Sequence, residues 1–170
     1  MKNKSKTIAF MGVFTALALI LAYVEFLIPP LFPSIPGIKM GLPNIIIVFL
    51  LYRRGPVSAI AVSLLRIGLV VMLFGNAMAF LYSLAGGALS LLLMVLLRRF
   101  NLLSVVGVSI AGAVAHNIGQ VLMAMLLLDT TEIVYYLVVL LITGTIAGIF
   151  VGLCGSALIK KIPAKIMKLQ

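Results

Sequence analysis

Residues 56–74 have the sequence PVSAIAVSLLRIGLVVMLF, an apolar run in which Arg66 is the one charged residue. A helix needs about 20 predominantly apolar residues to cross the hydrocarbon core of a bilayer. The run has that length, so it predicts a transmembrane helix. Arg66 lies about ten residues into this helix, close to the expected midplane of the bilayer.

The composition of the whole chain agrees with that interpretation. Of the 170 residues, 64% are hydrophobic and 9% are charged, whereas a soluble domain carries roughly 25% charged residues. The chain therefore lacks the polar surface that a water-facing globule needs, and its apolar side chains must face lipid. We predict an all-α integral membrane protein with a single membrane domain over residues 1–170.

Other apolar segments flank this run, and together they predict six transmembrane helices. The predicted spans are about 7–28, 41–52, 56–74, 77–97, 104–128 and 135–159. The second span is short, because at 1.5 Å per residue it covers only about 18 Å. The first is longer than the apolar core of a signal peptide, so we predict that it is retained.

The basic residues lie in short clusters between these spans. The clusters are Lys2, Lys4 and Lys6; Arg53 and Arg54; Arg98 and Arg99; and Lys160, Lys161, Lys165 and Lys168. Cytoplasmic loops carry an excess of Lys and Arg, and a cytoplasmic N-terminus places every cluster inside, with Lys39 left outside. We therefore predict that both termini are cytoplasmic. The second span is needed for this arrangement, since without it Arg53 and Arg54 would lie outside.

Small residues recur four positions apart on several predicted spans, as they do where membrane helices pack closely. The rows are Gly12 and Ala16; Ala18 and Ala22; Gly107, Ala111, Ala115 and Gly119; and Gly144, Gly148 and Gly152. On the fifth and sixth spans we favour packing inside the bundle. On the first span, internal packing and docking of a partner protein are both open.

Ionisable and polar side chains at membrane depth are costly and are functional candidates by default. Arg66 requires a counter-charge, backbone carbonyls, water or an anionic ligand, and a structural role at broken helix ends is the alternative. His116 and Gln120 share one helix face, with Asn117 beside them. These three side chains form either a ligand-facing patch or a set of interhelical hydrogen bonds.

The outer end of the fourth predicted span carries a further group of polar side chains, Asn76, Tyr82 and Ser83. Tyr82 is either an interfacial aromatic residue or part of a pocket wall. The acids of the chain fall at or near the same face of the membrane: Glu25, Asp129 and Glu132.

Several kinds of chemistry are excluded by residues that the sequence lacks. It has no P-loop motif G-x-x-x-x-G-K-[ST], and with one His and one Cys we expect no metal site. Prenyl diphosphate chemistry needs paired acidic clusters that hold Mg²⁺, and Asp129 is the only aspartate. The net charge of +10 belongs to the loop clusters, so no nucleic-acid partner is expected. We predict that the protein is not an enzyme and uses no cofactor.

Three stretches of the chain resemble the Gx transporter family, whose members often carry the label heptaprenyl diphosphate synthase component I. They are residues 65–75, 80–87 and 107–120, and the last contains AHNIGQ at residues 115–120. That family is similar to the substrate-binding S-components of energy-coupling factor (ECF) transporters. The resemblance implies an S-component-like bundle that captures a micronutrient outside and docks on a membrane scaffold with two ATPases. It also implies that Ala18 and Ala22 form the docking face.

These features predict a substrate-binding subunit for micronutrient uptake in the plasma membrane of a bacterium. The expected pocket opens outward and includes the loop 33–39 together with Arg66, Asn76, Tyr82, Ser83, His116, Asn117 and Gln120. The alternative is a non-catalytic membrane subunit that assists polyprenyl diphosphate or quinone synthesis. A stand-alone secondary carrier is less favoured, because no deep carboxylate is predicted to bind a coupling ion.

Overall fold

The computed structural model of the protein describes residues 2–28 and 40–163, with the side chains of residues 5–28 and 40–163. The described residues form six α-helices and no strands. The helices are α1 (Lys2–Leu27), α2 (Asn44–Arg53), α3 (Pro56–Phe74), α4 (Ala77–Arg99), α5 (Val105–Leu128) and α6 (Val134–Lys161). The all-α prediction is confirmed, and the predicted spans agree with these helices to within a few residues, except at the start of α1.

Five of the helices, all except α2, are long and apolar enough to cross a bilayer. Their outer faces carry exposed apolar side chains, such as Met72 with 85% and Leu126 with 78% of the side chain exposed. Such faces require lipid around them. The prediction of a multi-pass membrane protein is therefore confirmed at this level, whereas the count of six full spans and their orientation remain predictions.

Helix α2 is the exception in both length and environment. It has ten residues and is about 15 Å long. Every residue from Ile45 to Leu51 is buried, because α2 packs against α1, α3 and α6. A helix that is apolar on all sides lies either in a core or in lipid. Here α2 lies in the core and provides the largest fully buried side chains of the bundle, including Phe49.

The helices α4, α5 and α6 pack closely through glycines. A Cβ on Gly119 would lie 2.8 Å from the Ala85 carbonyl oxygen of α4, and a Cβ on Gly148 would lie 2.7 Å from Ile110 Cα of α5. Gly152 approaches Val106 Cα in the same way, at 2.8 Å. Internal packing of the small residues on α6 is thus confirmed. Helix α5 contacts α6 through residues that do not belong to the row of small residues predicted on α5.

Basic residues of two predicted cytoplasmic segments, Arg53 with Arg54 and Arg98, lie at one end of the bundle. Arg53 Nη2 donates a hydrogen bond to the Ile159 carbonyl near the end of α6. The Arg98 guanidinium lies 5.3 Å from the Tyr52 ring centroid, and that of Arg54 lies 5.2 Å from the Phe10 ring centroid. We call this the basic end. It joins the start of α1 to the ends of α2, α4 and α6.

The close contact at Gly148 makes a testable prediction. Gly148→Ala places a methyl group against the α5 backbone, so we expect a loss of about 1–3 kcal/mol of stability from overpacking. The matched control is Gly12→Ala, because a Cβ at Gly12 would meet nothing within 4 Å and alanine favours the helix. Thermal unfolding of both variants in the same detergent measures the difference. Equal midpoints for the two variants would show that the α5–α6 contact tolerates a methyl group.

Candidate functional site

A cavity of about 390 Å³ lies inside the bundle. Its wall includes residues of all six helices, and α2 contributes only its start, through Asn44 and Val48. Because α2 is so short, it fills the half of the bundle nearer the basic end. The cavity begins in the other half, between the later part of α1 and the early part of α4, and extends beside α2 as far as Ser90, Met94 and Ser109.

Arg66 lines this cavity from the middle of α3. Its Nε is shielded from solvent and has no hydrogen-bond partner in the structure. Glu25 of α1 also lines the cavity and attracts the Arg66 guanidinium electrostatically. Helix α3 continues unbroken through Arg66, so the alternative of an arginine at the end of a broken helix does not apply to α3 itself.

Glu25 also connects the end of α1 to the approach to α2. Its Oε1 accepts a hydrogen bond from the Gly41 backbone N–H at 2.5 Å. Gly41 has a φ of 72°, a backbone conformation that glycine adopts without strain. This contact holds the carboxylate at the cavity wall and leads the chain into the turn that begins α2.

The polar turn of α5 faces the cavity, with His116, Asn117 and Gln120 in its wall. Gly86 of α4 lies directly against this turn, since a Cβ there would be 2.7 Å from the His116 carbonyl oxygen and 2.9 Å from Gln120 Cγ. A glycine at this position lets the two helix backbones approach closely. The predicted patch is therefore brought together against α4.

Asn117 combines both roles that the sequence left open. It lines the cavity, and its Nδ2 donates a hydrogen bond to the Leu140 carbonyl of α6 at 2.5 Å. Gly144, one turn beyond Leu140, leaves room for the amide, because a Cβ there would run into Asn117 Nδ2. Asn117 thus ties α5 to α6 at the cavity wall.

The three candidates on α4 are placed differently from one another. Ser83 lines the cavity. The Asn76 side chain instead caps α4, since its Oδ1 accepts a hydrogen bond from the Ala79 N–H at 2.8 Å. Neither Asn76 nor Tyr82 belongs to the described cavity wall. Tyr82 is turned about 100° from Ser83 around the helix axis, which explains the difference.

Several cavity residues were not among the sequence candidates, notably Glu25, Asn44, Ser90 and Ser109. The sequence does contain a pattern that indicates the cavity residues of α5. The cavity face of α5 consists of Ser109, Gly112, Ala113, His116, Asn117 and Gln120. Their spacing of three and four residues follows one face of an α-helix, so a row of small and polar residues marks the face that avoids lipid.

The predicted docking residues of α1 lie inside the bundle. Ala18 is fully buried and Ala22 is 8% exposed, and Ala22 also lines the cavity. The small residues that α1 exposes include Gly12 and Ala16. Docking through Ala18 and Ala22 remains a prediction, and in this conformation α1 does not present them. The predicted pocket loop 33–39 lies outside the described residues.

Comparison with known proteins gives one result. A family model described as heptaprenyl diphosphate synthase component I matches residues 14–158. The chain belongs to this family. Neither the curated proteins nor the solved structures contain a match to the chain.

In this member of the heptaprenyl diphosphate synthase component I family, every described residue of the cavity wall lies within the matched region. Glu25 and Arg66 are the oppositely charged side chains of that wall, and His116 is its titratable neighbour on α5. Asp129 and Glu132 do not line the described cavity. Within the described residues, no group of three or more His, Cys, Asp or Glu side chains could hold a metal ion. The site is suited to binding a small molecule through hydrogen bonds and through the two charged side chains of Glu25 and Arg66.

The placement of Asn76 makes a second prediction. Asn76→Ala removes the cap of α4 and should cost about 1 kcal/mol of stability, while binding at the cavity is unaffected. Asn76→Asp keeps an acceptor for the Ala79 N–H and is the matched control, with a midpoint close to that of the unaltered protein. Thermal unfolding measures the stability. A loss of bound small molecule from a well-folded Asn76→Ala protein would instead assign Asn76 to the site.

Proposed function

We propose that the protein is the substrate-binding membrane subunit of a micronutrient uptake transporter, comparable to an ECF S-component. The observation that carries this proposal is the cavity within the bundle, which extends from the half away from the basic end to Met94 and Ser109. Polar side chains from α3, α4 and α5 converge on it, and its volume of about 390 Å³ falls within the range of small-molecule sites. A protein that served only as a membrane anchor would not require such a cavity.

The distribution of charge supports an orientation for this subunit. If the basic end faces the cytoplasm of a bacterium, as the positive-inside rule favours, both termini are inside and the cavity lies toward the outer half of the plasma membrane. Helix α2 and the residues before it then form the second of six crossings. A solute from outside would reach the cavity without passing the buried core around α2.

The energy for uptake has to come from other subunits in this proposal. The sequence has no P-loop, so ATP hydrolysis is assigned to separate ATPases that act through a transmembrane scaffold. The protein itself performs no chemical step and uses no cofactor. Its contribution is to select the solute and hold it within the bundle.

A cavity-filling substitution tests the binding function. Ser83→Phe places a ring in the cavity, whereas Leu126→Phe changes a side chain that is 78% exposed. We expect native mass spectrometry of the unaltered protein, purified in nanodiscs, to show a bound small molecule. The expected result is at least a tenfold lower occupancy for Ser83→Phe and no change for Leu126→Phe. Equal occupancy in both variants, or no bound molecule in any form, would contradict the proposal.

The family to which the chain belongs favours a second candidate function. The chain matches a family described as heptaprenyl diphosphate synthase component I, so a non-catalytic membrane subunit that assists polyprenyl diphosphate synthesis is the alternative. Affinity purification from native membranes separates the two. A soluble prenyl synthase whose activity depends on this chain would favour the alternative. Recovery of ATPases with a membrane scaffold would favour the transporter subunit.

A further inference from the structure

The cavity contains a cationic donor that the protein leaves unmatched. Arg66 Nε is shielded from solvent and has no hydrogen-bond partner in the structure. A buried donor without an acceptor costs about 1–3 kcal/mol, and more when the group is charged. Arg66 lies on the wall of a cavity large enough for a small molecule. An acceptor supplied by that molecule would remove the penalty.

The charged and titratable groups near Arg66 indicate which kind of acceptor the solute has to supply. Glu25 attracts Arg66 across the cavity wall, and one of its oxygens accepts the Gly41 N–H, but Arg66 Nε itself has no acceptor. His116, the titratable group on α5, is also engaged in a contact. The remaining polar lining is neutral and includes Asn44, Ser83 and Gln120. The unmatched group is therefore a cationic donor.

We infer that the solute carries one oxyanionic group, a carboxylate or a phosphate, which Arg66 receives in the cavity. This inference rests on the proposed binding function. The planar guanidinium matches either group with paired N–H donors, and arginine stays charged in a dry site where lysine loses its proton more readily. Arg66 is the cationic residue of the described wall, so the anionic group of the solute would bind there.

The rest of the lining indicates an amphipathic solute. Ala22 and Phe26 of α1 and Val70, Val71 and Phe74 of α3 supply an apolar wall near Arg66 and Glu25. Across the cavity, Ser83 and Gln120 offer neutral hydrogen-bonding groups. A compact apolar or aromatic body with one anionic group and one or two polar substituents complements all three surfaces.

The decisive experiment identifies the charge of the solute that copurifies with the protein. Native protein in nanodiscs is extracted with organic solvent, and the extract is analysed by mass spectrometry in both ion polarities. The forms compared are the unaltered protein, Arg66→Gln, Arg66→Lys, Ser83→Phe and Arg99→Gln. The last is the matched control, because Arg99 is exposed and lies outside the described cavity wall.

The expected result is an acidic solute in the unaltered protein and in Arg99→Gln. It should fall at least tenfold in Arg66→Gln and be partly retained in Arg66→Lys. A neutral or cationic solute, or an equal amount in Arg66→Gln, would overturn the anion inference while leaving the binding function intact. A solute absent from the unaltered protein would overturn the binding function itself.

A second measurement covers the case in which Arg66→Gln does not fold. The unaltered protein, freed of bound solute, is titrated with phenylacetate, phenyl phosphate and the neutral phenylacetamide while its thermal midpoint is followed. A rise with both anions that exceeds the effect of the amide supports the inference. The same response to all three compounds, including no response, contradicts it.

Discussion

The depth of the bilayer and the length of α2 together decide the architecture. The hydrocarbon core is about 30 Å thick, and a ten-residue helix spans roughly half of it. The five long helices surround a space as deep as the membrane, and α2 fills only the half near the basic end. The cavity occupies space that α2 leaves open in the remaining half, and it extends beside α2 to Ser90 and Met94 of α4. The position of the candidate site thus follows from the truncation of one helix.

The wall of the cavity has to be tight even though its interior is open. Glycines allow close packing on the side formed by α4, α5 and α6, where Gly86, Gly119 and Gly148 bring helix backbones into direct contact. Lipid offers no hydrophobic drive for helix association, so close van der Waals contact and interhelical hydrogen bonds hold such bundles together. The bond from Asn117 to the Leu140 carbonyl adds a directional contact at the same depth.

Much of the fold could be predicted from sequence because the membrane imposes strong rules. Long apolar runs between basic clusters located the five long helices, since few other structures satisfy backbone hydrogen bonds in lipid. The placement of α2 in the core could not be predicted, because its apolar residues would suit lipid equally well. Arg66, His116, Asn117 and Gln120 were found by a simple criterion, polar groups at membrane depth, and all four line the cavity. Ser83 was predicted from the polar group at the outer end of the fourth span, and it lines the cavity as well.

The remaining differences have local causes. Asparagine near the outer end of a helix suits both a cap and a pocket, and only the 2.8 Å contact to Ala79 distinguishes them. The side of a helix that faces inward depends on its neighbours, so the spacing of Ala18 and Ala22 indicated a close contact without indicating with what. Glu25 was expected at an outer mouth, and its bond to Gly41 places it in the cavity wall.

The two rows of small residues on α1 differ in what a partner would have to displace. Ala16 and Ala18 are two positions apart and therefore point about 200° apart around the helix axis. Ala18 belongs to the core cluster around α2, so a protein that binds there must first separate α1 from that core. Contact through Gly12 and Ala16 leaves every internal contact in place. Association through Ala18 and Ala22 therefore requires a conformational change of the bundle. Association through Gly12 and Ala16 only replaces contacts with lipid by contacts with protein.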